Sequence, residues 1–451
     1  MSSADGASAV SETRRVPLRR TTARGPGVRA VAAGSVGNFV EWYEFAVYGF
    51  LATVLAERFF TPAGGGAVEG LVRTYASFAL AFFFRPLGAV LFGRLGDRYG
   101  RRPVLIGVVA LMSGATALIG ALPTYGAVGA LAPWLLTLLR IVQGLAAGGE
   151  FGGAVAVLTE FAPPGRRGLY GAWQSFTVAL GLLGGAGVTA VTAAVLGTER
   201  LSAWGWRLPF LLAVPLGLLA LWLRSGLTET PEFLERTNTP EMRPGWGALV
   251  LAAARVTGWA AAGYTFLVVL PSYLQSAMHT GFAQALLAAA VANAGFAAAI
   301  LPAGVLSDRV GRRPVLLAGA VLVVATALPV LDLLRDPGAS TPAKALALAG
   351  AGAVVGLMAG PGPALLAEMF PARVRWTGLG LAYALSNAVF SGCAGLIITE
   401  AVRRTGNPDV PGYYAAAACA VSAAALLKRA PGEGGWRRRS SEEAPQKASW
   451  R

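Results

Sequence analysis

Six charged side chains fall inside long apolar runs: Glu41, Glu44, Arg85, Arg140, Glu150 and Arg255. A charge in hydrocarbon costs about 2.5–3.5 kcal/mol on insertion scales, so such residues are functional by default. Carboxyls accept protons and guanidiniums hold carboxylates, so the set suits proton and anion chemistry. On a 3.6-residue helix Asn38, Glu41, Phe45 and Tyr48 share a face about 80° wide, and Glu44 lies roughly 60° beyond Glu41. Glu41 is read as a proton-accepting acid or a substrate contact, the other reading being a packing network against a neighbouring helix. Glu41→Gln is expected to uncouple proton from solute more severely than Glu44→Gln. Arg140, Gln143, Ala147 and Glu150 form a stripe about 15 Å long. A carboxylate facing an arginine stays charged until a competing anion takes that partner. That is a route to coupling proton and anion, unless the pair is a fixed structural one.

The remaining polar candidates keep two readings each. Arg85 precedes Pro86 and either binds substrate or satisfies backbone freed at the proline bend. Arg255 shares a face with Trp259 and Phe266 and either holds a carboxylate or snorkels to the surface. Gln174, Tyr264, Asn293, Tyr383 and Asn387 either donate to a solute or are polar glue between helices.

The elements carrying these residues must be membrane spans. The chain is 55% hydrophobic and 14% charged, with a mean hydropathy of +0.57. About 20 apolar residues cross the hydrocarbon core as a helix. Apolar runs occur near residues 30–55, 72–92, 103–122, 133–159, 169–196, 207–224, 247–276, 281–306, 314–333, 343–366, 376–402 and 411–427. They are apolar throughout, without the alternation of a barrel strand, so each is expected to be a helix. The expected fold is an all-α membrane protein of twelve transmembrane helices in two six-helix bundles. Residues 1–29 form a basic tail, 30–224 the first half, 225–245 a polar linker, 246–428 the second half and 429–451 a second tail.

The net charge of +15 sits in tails and loops, the pattern that orients a membrane protein and not one that binds nucleic acid. With the N-terminus inside, the inner loops hold fourteen Arg and Lys and the outer loops eight, which places both termini in the cytoplasm of a plasma-membrane protein. Arg224 is counted with the inner loops. Cys393 and Cys419 lie in apolar runs and His279 is the one histidine, so no disulfide framework, metal site or cofactor is expected. The three lysines, Lys344, Lys428 and Lys447, do not follow glycine, so none closes a phosphate loop. Neither an enzyme nor an ATP-driven pump is expected.

The halves repeat. Gly93-Arg94-Leu95-Gly96-Asp97-Arg98-Tyr99-Gly100-Arg101-Arg102-Pro103 recurs 211 residues later as Gly304-Val305-Leu306-Ser307-Asp308-Arg309-Val310-Gly311-Arg312-Arg313-Pro314. Glu160-Phe161-Ala162-Pro163 recurs 208 residues later as Glu368-Met369-Phe370-Pro371. Glycine-rich breaks in spans 4 and 10, Gly148 to Gly153 and Gly360 to Pro363, also correspond. Paired breaks mark moving or binding parts of transporters, or else close packing at small residues.

The two G-x-L-x-D-R-x-G-R-R loops resemble the signature loop of the major facilitator superfamily. Gly37 to Phe45, Arg85-Pro86-Leu87-Gly88, Gln143 to Glu150, Trp204-Gly205-Trp206-Arg207 and Glu229-Thr230-Pro231 resemble its metabolite:proton symporters. Residues 367–375 and 383–387 look like those of its oxoglutarate and dicarboxylate permeases. Glu44 stands where that family usually has aspartate. The resemblance implies proton-coupled symport of a small carboxylate by a monomer in lipid, with a proton gradient and no ATP. The alternatives are a proline or betaine symporter, or an exporter or facilitator. It also implies a gate. Asp97 would cap span 11 and Arg101 would pair with Glu160, while Asp308 would cap span 5 and Arg312 would pair with Glu368.

Overall fold

The computed structural model describes residues 28–61, 66–99, 101–160, 162–225, 245–370 and 375–428. Most of the 225–245 linker and both tails lie outside these residues, and so do the side chains of Asp97, Arg101 and Glu160.

Among the described residues, eleven helices are long and apolar enough to cross a bilayer, and a bent pair makes the twelfth. Span 1 is that pair, Ser35–Phe50 and Ala52–Phe60, turning by 60°. Spans 2 to 6 are Ala67–Phe92, Pro103–Ala121, Leu131–Gly148, Arg167–Gly205 and Arg207–Ser225. Spans 7 to 12 are Trp246–Met278, Phe282–Val310, Arg312–Arg335, Thr341–Met369, Thr377–Thr405 and Val410–Leu427. Most of these bounds lie within about five residues of the apolar runs, because a backbone in lipid must bond to itself; span 4 ends eleven residues before its run does, at a break, and span 5 runs nine residues past its own.

Small residues let the helices close up. A methyl on Gly144 of span 4 would meet the Ala81 carbonyl of span 2 at 1.8 Å, and one on Gly352 of span 10 would meet the Ala292 carbonyl of span 8 at 1.8 Å. Gly144 and Gly352 are 208 residues apart, and Ala81 and Ala292 are 211 apart. The two halves therefore repeat a packing contact as well as a sequence. In the same register the Arg85 carbonyl approaches Gly148 and the Phe296 carbonyl approaches Gly356. Phe296 thus stands in the second half where the first has Arg85.

Both sequence breaks are real turns. Span 4 stops at Gly148 and resumes as Phe151–Glu160, and span 10 stops at Ala359 and resumes as Gly362–Met369. Periodicity did not reveal four π-helical segments: Ala56–Phe60, Leu201–Gly205, Tyr264–Val269 and Asn387–Gly392. The first and third start 208 residues apart, so this irregularity repeats too. Such bulges free carbonyls and concentrate at functional sites.

Candidate substrate and proton site

A cavity of about 40 Å³ lies between the halves. Trp42, Ser175 and Val178 line it from the first half, and Trp259, Tyr264, Phe296, Tyr383, Asn387 and Ser391 from the second. The π-helical segments of spans 7 and 11 supply Tyr264, Asn387 and Ser391, so the bulges shape this wall. Their extra backbone capacity is used. Asn293 donates to the Leu267 carbonyl at 3.0 Å, and Asn387 bonds the Tyr383 carbonyl and Ser391.

The cavity is closed on both sides. On the face carrying the repeated loops, Asp308 accepts the Gly168 and Leu169 amides at 2.8 and 3.0 Å. Asp308 thereby occupies the N-terminus of span 5, where partial positive charge gathers. Arg312 pairs with Asp308 at 2.6 Å and with Glu368 at 3.3 Å. Phe151 stacks on Tyr383 with centroids 3.5 Å apart, and Ser175 donates to the Ala359 carbonyl at 2.7 Å. On the opposite face Tyr75 and Ser272 share a hydrogen bond of 2.7 Å, and Thr53 donates to Gln275 at 3.1 Å. Arg312 ties Asp308 to Glu368 within the second half, and the other contacts join one half to the other on both faces, so the conformation is occluded.

Buried charge is concentrated in the first half. Glu41 and Arg85 form an ion pair of 3.2 Å with both side chains 4% exposed. The Arg85 guanidinium also lies over the Phe45 and Phe82 rings, at 4.5 and 4.3 Å; it is not spent on backbone at Pro86. Arg140 lies over the Phe45, Tyr48 and Phe78 rings and donates to Gln143 at 2.6 Å. Gln143 donates in turn to Thr116 at 2.6 Å. Glu44 is fully buried, and its two oxygens meet Ser113 at 2.6 Å and Thr116 at 2.7 Å. Asn38 and Gln174 bond one another, and Asn38 also bonds Thr177. That trio joins span 1 to span 5 and stands apart from the Glu41 pair.

Three sequence expectations need correction. Arg140 and Glu150 share a stripe of span 4 but do not pair, because the helix breaks just before Glu150 and turns its carboxylate to Arg224 of span 6. Arg224 is accordingly no loop cation: it is 3% exposed, and its other nitrogen donates to the Leu105 carbonyl at 2.9 Å. Gly37 of span 1 leaves the room, since a methyl there would meet Arg224 Nη2 at 1.9 Å. Arg255 neither lines the cavity nor reaches the surface. It is fully buried and donates to the Ala425 and Lys428 carbonyls at the end of span 12. Sequence reasoning missed Arg224, Ser113 and Thr116. The available signal was an arginine in the last turn of an apolar run, which charge counting assigns to a loop.

The comparisons with known proteins agree with this architecture. The family described as "Sugar (and other) transporter" matches residues 30–242, and "Major Facilitator Superfamily" matches residues 258–451. A glycine betaine/proline/ectoine/pipecolic acid transporter, OusA of Dickeya dadantii, is 34% identical over 86% of this chain and 80% of its own length. The citrate-proton symporter of Klebsiella pneumoniae is 34% identical over 88% and 91%. The chain belongs to the major facilitator superfamily, among its metabolite:proton symporters. The alpha-ketoglutarate permease of Escherichia coli is 36% identical over 81% of this chain and 85% of its own, so transporters of two solute kinds are similar to it. The crystal structure of a D-xylose-proton symporter superposes with a TM-score of 0.73 at 20% identity, covering 89% of this chain and 98% of that one, which shows the fold. The protein is thus a multi-pass, proton-coupled transporter of the major facilitator fold, a family of transporters and not of enzymes.

Proposed function

We propose that this transporter carries a small carboxylate of the oxoglutarate or dicarboxylate kind together with a proton into the cytoplasm, and that its termini and repeated loops face the cytoplasm. One observation carries the recognition of a carboxylate. Arg85 Nε and Arg140 Nε and Nη2 are buried without acceptors, and so is the Tyr264 hydroxyl. Guanidinium nitrogens only donate, and a buried donor without an acceptor costs about 1–3 kcal/mol. The ligand that relieves this cost is an acceptor, and a carboxylate is the strongest one available. Arg85 and Arg140 both lie over the Phe45 ring, and Tyr264 packs on Phe78 and Phe82 beneath them. A carboxylate entering from the cavity past Tyr264 would meet all three.

The proton reading rests on a contrast between the two acids of span 1. Glu41 has a guanidinium partner, whereas Glu44 has two hydroxyls and no ion pair. An uncompensated buried carboxylate is far costlier than a buried acid, which supports Glu44 as the proton carrier in the occluded state. The partners reverse the order that the helical wheel suggests. Solute and proton together let the occluded form exist, and release of either reopens one face.

A betaine or proline remains the second reading. Trp42, Trp259, Tyr264 and Tyr383 wall the cavity, and aromatic faces hold quaternary ammonium groups. Such zwitterions also bring a carboxylate to Arg85 and Arg140. Proteoliposomes given an inward proton gradient test this choice with labelled dicarboxylate, glycine betaine and proline. Gradient-driven dicarboxylate accumulation supports the first reading. Accumulation of betaine or proline alone replaces it with the second.

A further inference from the structure

We infer that Thr116 is the positioning residue for the coupling proton, its hydroxyl turning between Glu44 and the Met112 carbonyl as Glu44 loses and gains that proton. This rests on the symport reading above. Thr116 is fully buried, and its oxygen has three polar neighbours: Gln143 Nε2 at 2.6 Å, Glu44 Oε2 at 2.7 Å and the Met112 carbonyl at 3.0 Å. A hydroxyl has one hydrogen and two lone pairs. Gln143 has no choice of direction. Arg140 can only donate, so Gln143 Oε1 faces Arg140 and the amide NH₂ faces Thr116. Gln143 therefore fills one lone pair of Thr116.

The other two contacts depend on where the proton is. With the proton on Glu44 Oε2, Glu44 donates into the second lone pair of Thr116 and the Thr116 hydrogen goes to Met112, so all three contacts are made. With the proton gone, Thr116 gives its hydrogen to the carboxylate and the Met112 contact lapses. Ser113 serves the other oxygen in both states. The charges acting on Glu44 are Arg140 and Glu150 from span 4 and Glu41 from its own span. Tyr43 beside it spends its hydroxyl on the Pro209 carbonyl of span 6. Span 3 presents Ser113 and Thr116. The line Arg140, Gln143, Thr116, Glu44 runs in one direction, with each of the first two donating to the next. A carboxylate drawing on the free nitrogens of Arg140 acts at one end and the proton sits at the other.

The test uses the full-length transporter in proteoliposomes. Three readouts apply: solute accumulation under an imposed proton gradient, solute exchange without one, and the infrared carbonyl band that disappears in Glu44→Gln. Thr116→Val keeps the shape and removes the hydroxyl, and Thr116→Ser restores it. We expect Thr116→Ser to accumulate within about twofold of the parent. Thr116→Val should still exchange solute but accumulate roughly tenfold less, as losing a bond to a charged group implies, and its band should move. Thr116→Ala carries the same expectation if the valine variant is not inserted. Coupled uptake by the parent with equal accumulation by Thr116→Val overturns this inference alone. Equal failure of Thr116→Ser, or an unmoved band, also overturns it. Uptake by the parent that ignores the gradient overturns the symport reading itself.

Discussion

Glu150 pairs with Arg224 of span 6, and Arg140, ten residues earlier on Glu150's own span, makes no ion pair with it. The break at Gly149 separates them and turns Glu150 to Arg224, while Glu41 pairs with Arg85 between spans 1 and 2. Arg140 and Glu44 are left joined only through Gln143 and Thr116. On the proposed reading the two ion pairs are scaffold, and the indirect connection is the part that responds to solute and proton.

Arg224→Leu should destabilise the protein by about 3–5 kcal/mol, because it leaves a buried carboxylate uncompensated. Adding Glu150→Gln should recover more than half of that loss. Thermal unfolding in detergent checks both. A single variant as stable as the parent would return Arg224 to the loop.

How much of this was legible in the sequence depends on the length scale. A run of about 20 apolar residues must become a helix in lipid, so the spans and halves followed from composition. The surroundings of the second repeated loop followed from the family resemblance, which put Asp308 at the start of span 5, where it accepts two amides. Side-chain partners did not follow. A helical wheel assumes regular rise, and the turn at Gly149 and the π-helical segments break that assumption. Arg255 shows the other limit: sequence places it in an apolar run, while only packing shows that the end of span 12 lies beside it.

Asp308→Ala should slow transport while leaving equilibrium solute binding intact. It removes the acceptor for two amides of span 5, a loss of about 1 kcal/mol. That shifts the gate roughly fivefold toward opening on the repeated-loop face. Asp308→Asn should act more mildly, keeping a cap but losing the charge that faces Arg312. Cysteine labelling of that face reads the shift. Loss of binding in a well-folded variant would move Asp308 into the solute site.

Arg255→Leu should lower stability by about 1–3 kcal/mol, since buried carbonyls of span 12 lose their donor, and should leave KM for solute unchanged. A denaturation curve and an uptake curve decide the matter together. A KM raised tenfold without loss of stability would place Arg255 at the substrate after all.

Glu41→Gln should retain gradient-driven accumulation better than Glu44→Gln does. It frees Arg85 from its partner but leaves the proposed proton carrier in place. Accumulation ratios for the two variants, measured side by side, rank the acids. Glu41→Gln as the worse uncoupler would restore the order suggested by the helical wheel.

The most direct test of proton coupling through Glu44 is solute accumulation by Glu44→Gln as external pH is lowered at fixed internal pH. A carrier that must bind a proton before closing works faster when protons are plentiful outside, so parental accumulation should rise as the exterior is acidified. The amide keeps the size and the hydrogen bonds to Ser113 and Thr116 but cannot take up a proton. The account predicts that the variant exchanges solute across the membrane yet gives a flat, non-concentrating response at every external pH. Accumulation that matches the parent and rises with acid in the same way would contradict it.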